Sequence, residues 1–134
     1  MKHLRTLLLA VLFLAASFFG VQAETISSAN TTIVYAVNGT LNEQLAAKEV
    51  RRYVCLRSGQ LLRVRPVASL PASGDLIVVA ANGSPLLASL RDPIGYEPTE
   101  GQTLLKSVAA DGRNILVVSG ADADSTLRAA YRYA

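Results

Sequence analysis

Apolar positions change period along this chain, and each change marks an element. In "TTIVYAV", Thr31 to Val37, apolar Ile33, Tyr35 and Val37 alternate within a β-branched run, which predicts a first strand. Asn38-Gly39-Thr40 breaks it. From Leu41 to Arg57 the period becomes helical. Ala46, Ala47, Val50, Tyr53 and Val54 share one face, Leu45 and Leu56 widen it, and Gln44, Lys48, Arg51 and Arg52 take the other side. Thr40 or Asn42 can cap this helix and Gly59 can end it. Gln60 to Pro66 sets Leu62 and Val64 against Arg63 and Arg65, a half-exposed strand. Asp75 to Ala81 is a continuous apolar run between turns, a strand buried on both faces.

The second half follows the same logic. Asn82 to Pro85 is a turn, and Pro85 suits the first position of a short helix through Leu90. Arg91 to Gly101 reads as loop. Gln102 to Ala109 and Arg113 to Ser119 read as two strands, joined at Asp111-Gly112 as a hairpin. A last helix starts between Asp122 and Ser125, with Leu127, Ala130, Tyr131 and Ala134 at i, i+3, i+4, i+7. The order is β-α-β-β-(short α)-β-β-α. It predicts an α/β (α+β) sandwich: a mixed five-stranded sheet with two main helices packed on it. The final helix reaches Ala134 with no stop signal, so a C-terminal continuation is expected.

The first 23 residues stand apart. Lys2, His3 and Arg5 precede an apolar run from Leu7 to Phe19, and Val21-Gln22-Ala23 has the small-x-small pattern of a signal peptidase site. The run is shorter than the roughly 20 residues a membrane span needs. A signal peptide over 1–23 is expected, with a secreted or periplasmic product and no membrane contact after cleavage. Residues 24–30 form a polar lead-in, and 31–134 one domain. Losing Lys2 and Arg5 from 13 basic residues leaves 11 against 10 acidic ones, so charge offers no case for a nucleic-acid partner.

Composition narrows the chemistry further. His3 is the only histidine and departs with the signal; Cys55 is the only cysteine. A Ser-His-Asp triad, a Cys-His pair and an ordinary zinc site are excluded from the mature domain, and Cys55 has no internal disulfide partner. Several weaker candidates remain. Gly120 lies between a strand and a helix, as in a phosphate-binding turn, but Asp122 and Asp124 would repel the phosphate and suit a helix cap better. A calcium site at those acids lacks the remaining ligands. Lys48, Arg51 and Arg52 read as a solvated face rather than an anion grip. Glu97, Glu100 and Asp111 occupy loops or turns, with nothing to select a glycosidase pair among them. Asn30, Asn38 and Asn82 begin N-x-[ST] sequons. The expectation is no catalytic, cofactor-binding or metal residue, and no cofactor.

Three stretches together resemble a known module. They are "LNEQLAAKEVRRYVCLRSG", with its A-A-K-E-V-x-x-Y core; "DLIVVAANGSPLLASL", a strand ending in a Gly turn before a short helix; and "GYEPTEGQTLLKSVAADGRNILVVSGADADSTLRAAYRYA". Their order and spacing are similar to the small domain that precedes the barrel in several exo-glycosidases: the second domain of β-N-acetylhexosaminidases and the N-terminal domain of α-glucuronidases. The resemblance spans nearly all of the mature chain, 24–134. Ser125 departs from it, standing where such proteins often carry Gly, which puts a close helix–strand approach in doubt there. The resemblance implies a non-catalytic accessory domain of a secreted glycoside hydrolase. Its partner would be a downstream catalytic barrel in cis or an equivalent packing partner, carbohydrate being a further candidate. The family's catalytic acids lie on the barrel, so none carries over. The alternatives are a stand-alone secreted carbohydrate- or protein-binding module, or the propeptide of an exported hydrolase.

Overall fold

A computed structural model describes residues Asn30–Ala134. The leader read at 1–23, and the lead-in up to residue 29, lie outside the described residues. The elements run β1 (Thr31–Ala36), α1 (Leu41–Ser58), β2 (Arg63–Val67), β3 (Asp75–Val79), a 3-10 helix (Pro85–Leu90), α2 (Arg91–Ile94), β4 (Thr103–Ala110), β5 (Arg113–Gly120) and α3 (Ala123–Tyr133). The strands form one mixed sheet in the order β2-β1-β3-β5-β4. Only the β4–β5 pair is antiparallel. The expected five-stranded sheet with two main helices is present, and α2 adds a short third helix.

Local chemistry explains the boundaries. Thr40 caps α1 and is reciprocated by Glu43, a capping box. Gly59 closes the helix in the left-handed region at φ 72°, and its N–H donates to the Cys55 carbonyl. The two-residue turn Asp111-Gly112 has φ 52° and 73°, the primed-turn geometry whose twist suits an antiparallel hairpin. Ser84 caps the 3-10 helix ahead of Pro85. Part of the expected loop 91–101 is helical: Arg91–Ile94 makes one α-turn, because Ile94 turns inward onto the core.

Two apolar layers sandwich the sheet. On one face α1 and α3 cover Ile33, Ile77, Val79 and Val118 with Ala46, Ala47, Val50, Val54, Ala129 and Ala130. On the other, the 3-10 helix and α2 cover Val34, Leu76, Val78, Ile115 and Val117 with Leu86, Leu87, Leu90 and Ile94. Central strands β1, β3 and β5 therefore bury both faces, as a parallel sheet requires. The alternation read in β1 holds only on one side. Val34 is also buried, while Val37, one residue beyond the strand, is exposed.

The α1 core face is as expected at Ala46, Ala47, Val50 and Val54, but its width and the α3 face differ from expectation. Leu45 and Leu56 do not widen the α1 core face; both are exposed, and Glu43 takes the buried place in the first turn instead. In α3 the inward residues are Ser125, Thr126, Ala129 and Ala130, whereas Tyr131 and Ala134 are exposed and Leu127 is only half-buried. Small side chains face inward because α3 lies very close to β5. A Cβ on Gly120 would come within 2.4 Å of Ser125 backbone and side-chain carbon. The close approach doubted at Ser125 thus exists, and Gly120 supplies the room.

Candidate functional site

In an open parallel sheet, ligands bind beyond the carboxyl ends of strands whose connections leave to opposite faces. Here that point lies between β1 and β3. The chain leaves β1 towards α1 on one face and leaves β3 towards the 3-10 helix on the other. Asn38-Gly39-Thr40, Asn82-Gly83-Ser84 and Gly120-Ala121-Asp122 rim this end of the sheet.

Glu43 fills the crevice. Its side chain projects from the first turn of α1 and the residue is only 6% exposed. One carboxylate oxygen accepts from the Ala81 N–H at 2.9 Å. The other accepts from the Thr40 N–H at 2.8 Å and the Thr40 hydroxyl at 3.2 Å. The donors that would bind an anion here already hold a carboxylate of the protein itself. A phosphate would meet that charge at close range, so the geometry disfavours nucleotide or phosphate binding.

The closing turn is built for structure in the same way. Asp122 caps α3 by accepting the Ser125 N–H at 2.7 Å. That hydrogen bond, reinforced by nearby Arg128, holds its carboxyl below the usual 3.8. Asp124 accepts from the Asn42 side-chain amide, tying the starts of α1 and α3 together. At the other end the Arg57 guanidinium donates to the Ala134 carbonyl, so the two helices run parallel and side by side. Half-burial pushes the Tyr133 phenol up from its ordinary value.

The remaining sequence candidates are dispersed. Arg52 pairs with Glu49 at 2.8 Å and lies 4.4 Å over the Tyr53 ring, and the Glu49 bond raises its pKa. The cluster Lys48, Arg51 and Arg52 is therefore an outward face in which Arg52 is already engaged. Glu97 is exposed beside Arg91 at 3.8 Å, and Glu100 is exposed. Asp111 sits at the hairpin turn on the rim of a groove that neither Glu97 nor Glu100 lines. Cys55 is a half-buried free thiol. Among the sequons, Asn30 and Asn38 are exposed, whereas Asn82 is half-buried and donates to the Pro98 carbonyl at 3.4 Å. Among the described residues no three His, Cys, Asp or Glu side chains are grouped to hold a metal. No helix among them is long and apolar enough to cross a membrane.

Two features escaped sequence reasoning. Glu43 was one; its signal was the Thr-x-x-Glu spacing of a capping box, but the bond to Ala81 depends on how β3 is placed. The other is a groove of about 850 Å³ on the face opposite α1 and α3. It separates the crossover loop 68–74 from the 3-10 helix and α2. Leu70, Pro71, Pro93 and Ile115 line it, with Arg113 at its end. Arg113 donates to the carbonyls of Pro71 and Gly74 and so pins the loop.

No protein-family model matches this chain, and no curated protein matches it either.

Proposed function

We propose that this chain is a non-catalytic accessory domain of an exported glycoside hydrolase, packing through its two-helix layer against a catalytic barrel encoded after it. The observation that carries the reading is the outer surface of that layer. Leu41 and Leu56, near opposite ends of α1, are 81% and 71% exposed, and Leu45 between them and Tyr131 on α3 are exposed too. By helical spacing, Leu41, Leu45, Lys48, Arg52 and Leu56 share one outward stripe, three leucines with two cations between them, and the side-by-side helices bring Tyr131 onto the same surface. Burying one such leucine is worth about 1.5–3 kcal/mol, so the stripe favours a covering partner. The self-filled crevice supports a structural rather than a chemical role, in keeping with the glycosidase-domain resemblance.

The test is to read the coding sequence beyond codon 134 and assay the purified chain on aryl glycosides. An in-frame barrel of about 250 residues and an inactive isolated chain are expected. An immediate stop codon refutes the reading. So does turnover that disappears when one acid within 31–134 is replaced.

The groove beside Arg113 favours a second reading, a stand-alone binding module for carbohydrate. Saturable thermal stabilisation of the chain by an oligosaccharide, lost in Leu70→Arg, would support it against the first.

A further inference from the structure

The sheet has two edges, and the protein treats them differently. β2 is short and guarded: exposed Arg63 and Arg65 flank its outward course, and Pro66 withholds an N–H. β4 is longer, at eight residues, with no proline and no acid. It pairs with β5 without a bulge from Thr103↔Gly120 to Ala110↔Arg113. Its one charge does not protect it, because the Lys106 ammonium turns inward and donates to the Ile94 carbonyl.

The hairpin sets which backbone groups face outward. In a two-residue hairpin the closing pair, here Ala110 and Arg113, exchanges hydrogen bonds, and bonded and non-bonded pairs then alternate. The Ala121 N–H to Gln102 carbonyl bond at 3.2 Å continues that alternation at the far end. The N–H and C=O groups of Thr103, Leu105, Ser107 and Ala109 therefore point away from β5. No backbone hydrogen bond among the described residues reaches them.

We propose that the protein forms a twofold dimer by antiparallel pairing of β4 with β4 of a second copy, joining two sheets into one. A second copy is the fitting occupant because β4 is complementary to itself. With Leu105 opposite Leu105 of the other copy, Thr103 meets Ser107, an alcohol pair, and Leu104 meets the aliphatic stem of Lys106. Leu105 is 40% exposed in the single chain and becomes covered at the axis. The shifted register with Lys106 opposite Lys106 sets like charges together and is disfavoured. Arg132, which donates to the Thr103 hydroxyl at 2.8 Å, also fits. The two Thr103 positions fall about 14 Å apart at 3.4 Å per residue, beyond the screening length of about 8 Å. Such an interface closes on itself and leaves only the guarded β2 edges. It leaves the outer surface of α1 and α3 free, so it stands independently of the hydrolase reading.

The test is light scattering after gel filtration, over a dilution series, on protein purified from expression of the full chain. Twice the monomer mass at high concentration, falling on dilution, is expected. Ser107→Pro removes only an outward N–H, so it should keep the wild-type circular dichroism and lose the dimer. Leu105→Lys and Leu105→Glu should each be monomeric, whereas their mixture should recover the dimer through opposite charges across the axis. If the proline variant fails to fold, the Leu105 pair decides the matter. The proposal is overturned by a wild-type monomer at every concentration, by assemblies larger than a dimer, or by a Leu105 mixture that stays monomeric. A monomer carrying an extended peptide on β4 overturns it as well.

Discussion

Replacing Gly120, the last residue of β5, by Ala should damage this domain more than the same change at the hairpin glycine Gly112. The new Cβ would stand 2.4 Å from the Ser125 carbonyl carbon, 2.4 Å from Ser125 Cβ and 2.5 Å from Thr126 N. Ordinary carbon contacts begin near 3.5 Å, so the first turn of α3 must retreat by about 1 Å. Two of the three obstructing atoms are backbone, so a rotamer change gives no relief. Overpacking of this kind costs about 1–3 kcal/mol. The retreat also loosens the Ser125 N–H from the Asp122 cap, where a hydrogen bond is worth about 1 kcal/mol. The sum is about 3 kcal/mol, a large part of the roughly 5–15 kcal/mol that holds a domain together. At roughly 4–8 °C per kcal/mol for this size, thermal unfolding should fall by at least about 10 °C. Gly112→Ala is the control. Nothing lies within 4 Å of its added Cβ, and φ is 73°, so only the left-handed backbone cost of about 1–2 kcal/mol applies. Adding Ser125→Gly to Gly120→Ala removes one obstructing atom of three and should restore little. The reasoning fails if Gly120→Ala melts no lower than Gly112→Ala, or if Ser125→Gly restores it fully.

Other outcomes can be checked on the same protein. Glu43→Ala removes the acceptor of the half-buried Ala81 N–H and of the Thr40 N–H, at about 1 kcal/mol each; Glu43→Gln keeps one acceptor and should lose about half as much in urea unfolding. Faster amide exchange at Ala81 should accompany both, and unchanged exchange would count against the plug. Ser119 is fully buried in β5 with its hydroxyl unpaired, so Ser119→Ala should leave the melting temperature unchanged or raise it; a large drop would reveal a hidden partner. The Asp122 carboxyl titrates lower in the folded state than in the unfolded chain. Its stabilising contribution is therefore complete above the unfolded value and fades as pH falls through the folded one. Asp122→Asn should flatten the acid limb of the stability–pH curve while leaving its alkaline side parallel to wild type. An unchanged acid slope would contradict this.

Much of the architecture was legible in the order of residues, because it rests on short-range rules. Thr40, Gly59, Pro85 and Asp111-Gly112 act on the backbone within a few residues, and the structure places caps and turns at all of them. The unbroken apolar run at Asp75 to Ala81 announced a strand buried on both faces, and β3 lies mid-sheet. The cap at Asp122 was legible too, since a carboxylate before a helix serves the adjacent N–H groups wherever the helix goes.

Other properties depend on distances between segments far apart in sequence. Helical periodicity marked the α1 core residues Ala46, Ala47, Val50 and Val54 but not the width of that face. Whether Leu45 and Leu56 join it depends on how closely α1 lies on the sheet and beside α3. Gly120 looked like a ligand glycine from its neighbours, and only packing revealed it as the space into which Ser125 fits. Glu43 could be read as half of a capping box, but its second bond, to Ala81, spans 38 positions and exists because β1 and β3 are adjacent. The unequal sheet edges have the same origin. Sequence alone determined local conformation, whose energies are settled within one turn of chain. Tertiary structure decided which side chains, crevices and edges were already satisfied, because each needed a partner brought from elsewhere.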